Sequence, residues 1–410
     1  MRQNDFLYNF LRAYVRFWHN LIFYRKVEVK NFPSNLPANT PLLIVTNHQN
    51  TLMDALAVVL NVGTRKPYFL TRADLFKKNF VRKLLVSLKM LPVYRLRDGI
   101  DEMQQNDEIF QICVQILSKG GTLAAFPEGN HGVQYHLRPF KKGLARIAFR
   151  TETEYDWQTN LHILPCGLYY SHCQKMGEQL ILNFGQPFKV NEYRTAYEQN
   201  QPRTLTQITR RMADEIKSLM LHFEDLPNHD TLKWLTDLEL RKDGDTITNI
   251  LSKAAELEAL QQSNLEAYTQ LIKETTEKSQ DLSKKGVEAE IVGQARPTIL
   301  KLIFQTLALV LASPLWLYGV INSGLPYAIP FLFTQDLKDQ QFKSAFRIVL
   351  FALVTFPICW LLQTGIVWAF TNPKTTGLYA LSLPFTGYFA HRWARRWGET
   401  IQQWKLFSYK

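Results

Sequence analysis

Two side chains in this sequence have the types and spacing for chemistry on a hydroxyl group. His48 follows directly on the apolar run Leu42-Leu43-Ile44-Val45, and Asp54 stands on the first turns of the helix that the pattern predicts next. A hydroxyl is a poor nucleophile near neutral pH, and a histidine is the side chain suited to taking its proton. A carboxylate fixes the imidazole tautomer and stabilises the imidazolium, which leaves the other ring nitrogen for the substrate. A strand-to-helix turn brings such a pair together, with Asn50 or Thr51 able to cap the helix. A second unusual string, Phe126-Pro127-Glu128-Gly129-Asn130-His131, lies further on.

The elements that must hold these groups read as an α/β domain. Predicted strands at 42–45, 68–70, 93–94, 122–126, 161–170 and 179–184 alternate with helices at 51–60, 74–89, 101–120, 140–152 and 204–223. Such alternation gives a sheet flanked by helices, with functional groups in loops at strand ends. Residues 1–29 form an N-terminal helix whose Phe6, Phe10, Tyr14, Phe17, Trp18 and Leu21 recur at helical spacing, with Arg12, Arg16 and His19 between them. Such a helix suits a lipid interface, with packing on its own domain the alternative. The domain itself spans 30–227. Residues 228–296 are charged and helical, an arm to which no chemistry is assigned.

From 297 to 410 the chain changes again. Leu302–Ile321 and Ile348–Phe370 are uncharged and as long as the ~20 residues that span a bilayer. Gly377–Ala390 is shorter, as is Leu325–Phe333. Six of the nine tryptophans lie in this region. Lys338, Lys343 and Arg347, then Arg392, Arg395, Arg396 and Lys405, flank the apolar segments. If these basic groups are cytoplasmic, two hairpins follow, turning at Asn322-Ser323-Gly324 and Thr371-Asn372-Pro373-Lys374. The catalytic domain then faces the cytoplasm. The N-terminal run carries arginines and no small-residue cleavage site, unlike a secretory signal.

Charge is uneven. Residues 1–150 hold 22 Lys and Arg against 10 Asp and Glu, which accounts for the whole net charge of +12. A basic half suits phosphate esters, coenzyme A, anionic lipids or nucleic acid, and the apolar segments argue against nucleic acid. Cys113, Cys166, Cys173 and Cys359 form no CxxC pair, so no metal site or disulfide framework is expected.

Four ordered blocks resemble the glycerolipid acyltransferase family: Asn47-His48 with Asp54, Pro92-Val93-Tyr94-Arg95, Phe126-Pro127-Glu128-Gly129, and Ile163-Leu164-Pro165. The resemblance covers roughly residues 30–225 and is closest to the glycerol-3-phosphate and dihydroxyacetone-phosphate acyltransferase subgroup, which is similar in its His-to-Asp spacing. The usual family spacing has four residues between the two; here five, Gln49 to Met53, intervene. The glycine ahead of the arginine is missing, and Asn130-His131 replaces the family's Ser or Thr. The resemblance implies a sheet flanked by helices, with His48 and Asp54 catalytic. Arg95, Arg97, Lys141 and Lys142 would bind the acceptor's phosphate, and Glu128 would accept bonds from glycerol hydroxyls or position a basic residue. Gly129 would let the backbone approach the substrate, and Pro165 would line the acyl or thioester end. His131 would have a hydrogen-bonding or structural role, and Cys166 would be packed.

The implied reaction is direct. His48 takes a proton as the acceptor hydroxyl attacks the thioester, and coenzyme A or acyl carrier protein leaves as thiolate, with no metal and no further cofactor. Glycerol 3-phosphate or a close phosphorylated relative is the expected acceptor. The alternatives are a 1-acylglycerol-3-phosphate (lysophosphatidate) acyltransferase and an inactive membrane-anchored lipid-binding scaffold.

Overall fold

The computed structural model describes residues 5–77, 79–94, 100–337 and 340–408. It divides into two compact units, one of residues 1–173 and 178–222, the other of 174–177 and 223–410.

The first unit is built on one eight-stranded mixed sheet. Its strands are β1 (Lys26–Lys30), β2 (Leu42–Thr46), β3 (Tyr68–Arg72), β4 (Met90–Val93), β5 (Thr122–Ala125), β6 (His162–Tyr170), β7 (Gln179–Phe184) and β8 (Phe188–Lys189). The order is β1-β7-β6-β2-β5-β3-β4, with β8 paired to β6. All pairings are parallel except β6 with β7 and β6 with β8. β2 and β6 are buried along their whole length, as central strands covered on both faces must be. Pro165 sits in β6 where the neighbouring strand changes from β8, last paired at Ile163, to β7, first paired at Cys166. Its carbonyl accepts from Gly185 N at 2.9 Å. A missing N–H therefore interrupts no ladder bond there.

Helices α1 (Asp5–Phe17), α2 (Leu52–Asn61), α3 (Asn79–Ser87), α4 (Ile100–Ser118), α5 (Gly143–Glu154), α6 (Arg194–Gln199) and α7 (Gln201–Leu219) complete this unit. Leu43, Val45, Leu117, Leu123, Ala148, Phe149, Ile163, Ile208 and Met212 share one core, which joins the sheet to α4, α5 and α7. Asp101, expected near the start of its helix, is the second residue of α4.

Three corrections fall in this unit. The strand β1 has no counterpart in the expected elements; its alternating Lys-Val-Glu-Val-Lys makes it a polar edge strand rather than an apolar run. The N-terminal helix is part of this unit rather than a separate segment. Two of its three basic residues, Arg12 and His19, also turn inward, while Arg16 is exposed. Arg12 donates to the carbonyls of Val59 at 2.9 Å and Gly63 at 2.8 Å, closing the C-terminal end of α2. His19 is fully buried. Phe6, Phe10, Phe17 and Leu21 remain exposed.

In the second unit, α8 (His229–Asp237), α9 (Thr246–Ser263), α10 (Leu265–Lys284) and α11 (Ala289–Val292) form the arm. They are followed by α12 (Ile299–Leu311), α13 (Ser313–Phe333), α14 (Gln340–Leu350), α15 (Phe356–Phe370) and α16 (Pro373–Phe407). The arm is tied to α16 by Arg241, whose Nη2 donates to Glu399 at 2.7 Å, and by Lys405, which donates to the Lys285 carbonyl at 2.9 Å. Phe342–Phe370 runs on through a π-helical turn as one helix long and apolar enough to cross a membrane. α12 and α13 pass the same test together and are bent by 51°. The bend falls where α13 begins, with Pro314 in its first turn, because a proline cannot continue the hydrogen-bond ladder of the preceding turn.

The expected turn at Asn322-Ser323-Gly324 does not form. α13 runs through it and through Leu325–Phe333. Asn322 is satisfied within the helix bundle: its Nδ2 donates to Tyr318 O at 2.8 Å, and its Oδ1 accepts from Tyr379 at 2.6 Å. The second expected turn is present, with Asn372 capping α16. Lys338 lies outside the described residues.

Candidate active site

The ends of β2 and β5 place the two sequence motifs side by side. His48 lies two residues beyond β2, and its Nδ1 donates to Asp54 Oδ2 at 2.8 Å. The carboxylate is fully buried and takes three further bonds. Gln49 N and Asn50 N reach Oδ2 at 2.8 and 2.7 Å, and the Tyr170 hydroxyl reaches Oδ1 at 2.7 Å. Burial pushes the Tyr170 hydroxyl well above its ordinary pKa, so it remains a proton donor to Asp54. With Nδ1 bound to a carboxylate, the ring presents Nε2 to an incoming hydroxyl. The imidazole is 15% exposed, enough for access, while its partner is sealed.

The five-residue spacer closes this pair without difficulty. Asp54 sits on the first turn of α2 and reaches back to two loop N–H groups, the carboxylate role in a capping arrangement. Thr51 precedes the helix but makes no side-chain cap bond; its φ of 46° and ψ of −122° turn the chain there. A β-branched residue rarely adopts such angles, and the strain lies next to the reactive pair. Asn50 donates to Cys173 O at 2.6 Å instead of capping.

Asn47 holds the base of the loop. Beyond Thr46, paired with Cys166, β2 leaves the sheet, and the Asn47 amide continues the ladder in its place. It donates to Leu168 O at 3.1 Å and accepts from Leu168 N at 2.7 Å.

The Phe126–His131 string approaches from β5. Phe126 stacks under the His48 ring, centroids 4.0 Å apart and planes 6° apart, and His131 meets that ring edge-on at 5.4 Å. Glu128 is turned into the protein: Oε1 accepts from His48 N at 2.6 Å and Oε2 accepts from Arg138 Nε at 2.9 Å. Burial raises its pKa, an effect opposed by Arg138. Each Glu128 oxygen thus accepts from a protein donor, and its basic partner is Arg138. Gly129 has φ 67°, and a Cβ there would stand 2.8 Å from Lys141 Nζ. Lys141 therefore lies across the motif loop, exposed to solvent. Lys142 points elsewhere, donating to Thr206 of α7 at 2.8 Å. Pro165 belongs to the sheet, as described. Arg95 and Arg97 lie outside the described residues.

Cys166 is fully buried, and desolvation pushes its thiol pKa up, which suits packing and not nucleophilic attack. Three contributors are absent from the sequence-based set: Phe126 as the face under the His48 ring, Tyr170 as the donor to Asp54 Oδ1, and Arg138. The first stood within a quoted motif, and its place after a strand end was the available signal. For Tyr170 and Arg138 no local pattern existed; their roles arise from chain crossings 116 and 90 residues away in sequence.

The acyltransferase family model matches residues 26–169. The chain is 29% identical over 132 residues to glycerol-3-phosphate O-acyltransferase 2 of Saccharomyces cerevisiae, 32% of this chain and 17% of that protein. It is 28% identical over 114 residues to glycerol-3-phosphate O-acyltransferase 1 of the same yeast, 27% of this chain and 15% of that protein. It is 27% identical over 141 residues to a chloroplastic 1-acyl-sn-glycerol-3-phosphate acyltransferase of Brassica napus, 33% of this chain and 38% of that protein. The chain thus spans well under half the length of each of these relatives. The segment that carries His48, Asp54 and Glu128 is the part of the chain that matches the acyltransferase family model.

Proposed function

We propose that this protein is a membrane-bound O-acyltransferase that moves a fatty acyl group from a thioester, acyl-CoA or acyl carrier protein, onto a hydroxyl of glycerol 3-phosphate or a related phosphorylated acceptor. The observation that carries this reading is the His48–Asp54 pair: Nδ1 is committed to a sealed carboxylate and Nε2 is available at the strand ends. His48 takes the hydroxyl proton as the oxygen attacks the thioester carbonyl, the tetrahedral intermediate collapses, and the thiolate leaves. Lys141, the N-terminal end of α5, and Arg95 and Arg97 supply the positive charge for the phosphate.

The membrane assignment rests on the exposed apolar residues of the second unit, among them Leu311, Leu361, Phe370 and Phe385. α1 lies in the lipid interface with Phe6, Phe10 and Phe17 towards the acyl chains. The basic residues Arg392, Arg396 and Lys405 that follow the apolar part of α16 support a cytoplasmic orientation of the catalytic domain. A cysteine introduced at Lys343 that is labelled only from outside overturns that orientation.

The names of the relatives divide between two acceptors, so lysophosphatidate acylation is the second reading. Detergent-purified protein is offered long-chain acyl-CoA with glycerol 3-phosphate, dihydroxyacetone phosphate or lysophosphatidate, with His48→Ala alongside. Turnover of one acceptor, abolished by the substitution, is the expected result. Failure with every acceptor, repeated with acyl carrier protein as donor, leaves the inactive lipid-binding scaffold.

A further inference from the structure

Arg138 stands nine residues beyond Gly129, outside every motif, yet it converges on the base. Its Nη2 donates to the His48 carbonyl at 2.7 Å, its Nε to Glu128 Oε2 at 2.9 Å, and its own N–H to the same oxygen at 3.2 Å. The other Glu128 oxygen accepts from His48 N at 2.6 Å. One ion pair therefore holds both polar groups of the His48 residue, the N–H and the C=O. These are groups that lost their ladder partners when β2 left the sheet. Gly132 N also approaches the His48 carbonyl at 3.4 Å, and a Cβ at Gly132 would stand only 2.2 Å from Arg138 Nη1. The loop is thus shaped around this guanidinium.

We propose that Arg138 is a positioning residue for acyl transfer, whose guanidinium, together with Glu128, fixes the His48 backbone and so the direction in which Nε2 points. Asp54 sets the ring from one end; Arg138 and Glu128 set the residue from the other. The proposal rests on reading His48 as the base. Two acceptors on separate groups need the planar fork of arginine, which one ammonium nitrogen cannot reproduce. Without Arg138, the Glu128 carboxylate, 1% exposed, and the His48 carbonyl are both left short of a donor.

The test uses the full chain in detergent. In Arg138→Ala, kcat falls about 10²-fold while KM for donor and acceptor stays within about twofold, the pattern of a base displaced by a fraction of an ångström. Arg138→Lys does not recover the rate. Millimolar guanidinium restores Arg138→Ala by about tenfold and ammonium does not, since only the former reproduces the fork. Gly132→Ala, which displaces the guanidinium, reproduces the loss of kcat. Amide hydrogen exchange at His48 accelerates in Arg138→Ala and slows again with guanidinium. An unchanged kcat overturns the proposal. So does a raised acceptor KM at normal kcat, which would make Arg138 a phosphate ligand. Should the wild-type protein transfer no acyl group, the reading of the site falls instead. The brace is then judged by exchange alone, and unchanged protection at His48 in Arg138→Ala overturns it.

Discussion

Buried polar groups serve opposite ends in the two units. In the first, apolar side chains such as Ile44, Phe149 and Leu123 fill the core, and one set of buried polar groups, among them Asn47, Gln49, Asn50 and Glu128, gathers at the strand ends near the Asp54 carboxylate. In the helices from α12 to α16 the arrangement is reversed. Phe370 is 85% and Leu311 81% exposed, while Asn322, Ser323, Thr355, Thr376 and Thr386 are buried. A soluble bundle hides its leucines; under the membrane reading proposed above, helices surrounded by lipid gain nothing by doing so and are joined by small and polar residues. Gly319 shows the packing: a Cβ there would stand 2.3 Å from Thr386 O on α16. Polar burial serves chemistry in one unit and adhesion in the other.

The sharpest way to break that distinction is at Asp54. Asp54→Asn keeps size and most of the hydrogen-bonding shape but removes the charge that sets the His48 tautomer. The expected loss is about 10⁴-fold in kcat. The melting temperature should stay within a few degrees of wild type, measured on the same preparation. An active Asp54→Asn protein would make the carboxylate a loop-capping group only.

Next is a matched pair of truncations. Phe149 is fully buried and stacks on Tyr197 at 4.1 Å, so Phe149→Ala should cost about 3–5 kcal/mol. Leu361→Ala removes a side chain that is 72% exposed and should change stability in detergent by less than about 0.5 kcal/mol. Urea titrations give both values. Equal costs would mean that Leu361 is covered by protein and would undo the lipid-facing reading.

Much of the first unit was legible because its signals are local. β2 and β6 are apolar runs of strand length, and the helices between them carry their own periodicity, so the expected elements from Leu42 to Leu219 fall within a few residues of those observed, while the short β8 and α6 were not expected. His48 and Asp54 share a turn, and their bond was legible for the same reason. What stayed hidden depends on pairing across the fold. β1 reads as a charged linker until β7 is beside it. Arg12 and His19 look like a basic helix face until the C-terminal end of α2 arrives. Asn322-Ser323-Gly324 reads as a turn because it is polar, and only Tyr379 shows why it remains helical.

His19, just beyond α1, tests the burial of the N-terminal segment by pH. Its ring is fully buried against Tyr24, its Nε2 has no partner, and burial holds its pKa down at about 4 despite a bond to Asn20. A lowered histidine pKa means that the unfolded chain binds the proton first. Stability is complete above pH 6.5 and is lost as pH falls from there towards 4, by about 3 kcal/mol in the limit. His19→Leu should flatten that part of the pH–stability curve. An equally steep acid loss in the variant would place the sensitivity elsewhere.

The smallest effect bears most directly on adhesion. α13 contains two internal prolines, Pro326 and Pro330, and each deprives the carbonyl four residues earlier of its helical donor. Those carbonyls belong to Asn322 and to Pro326 itself. Both are supplied from neighbouring segments: Gln363 Nε2 donates to Asn322 O at 3.0 Å, and Thr355 Oγ1 to Pro326 O at 2.9 Å. Under the membrane reading proposed above these backbone groups lie in hydrocarbon and need such partners, which explains how a helix with two prolines remains whole. Gln363→Leu and Thr355→Val should each cost roughly 0.5–2 kcal/mol against unfolding in detergent, and the pair should be close to additive, since each serves a separate carbonyl. Replacing Pro326 by Ala gives Asn322 O its own helical donor, so Gln363→Leu in that background should cost almost nothing. A Gln363→Leu effect that is the same with and without Pro326 would show that Gln363 acts by packing alone, and polar burial in this unit would then need another explanation.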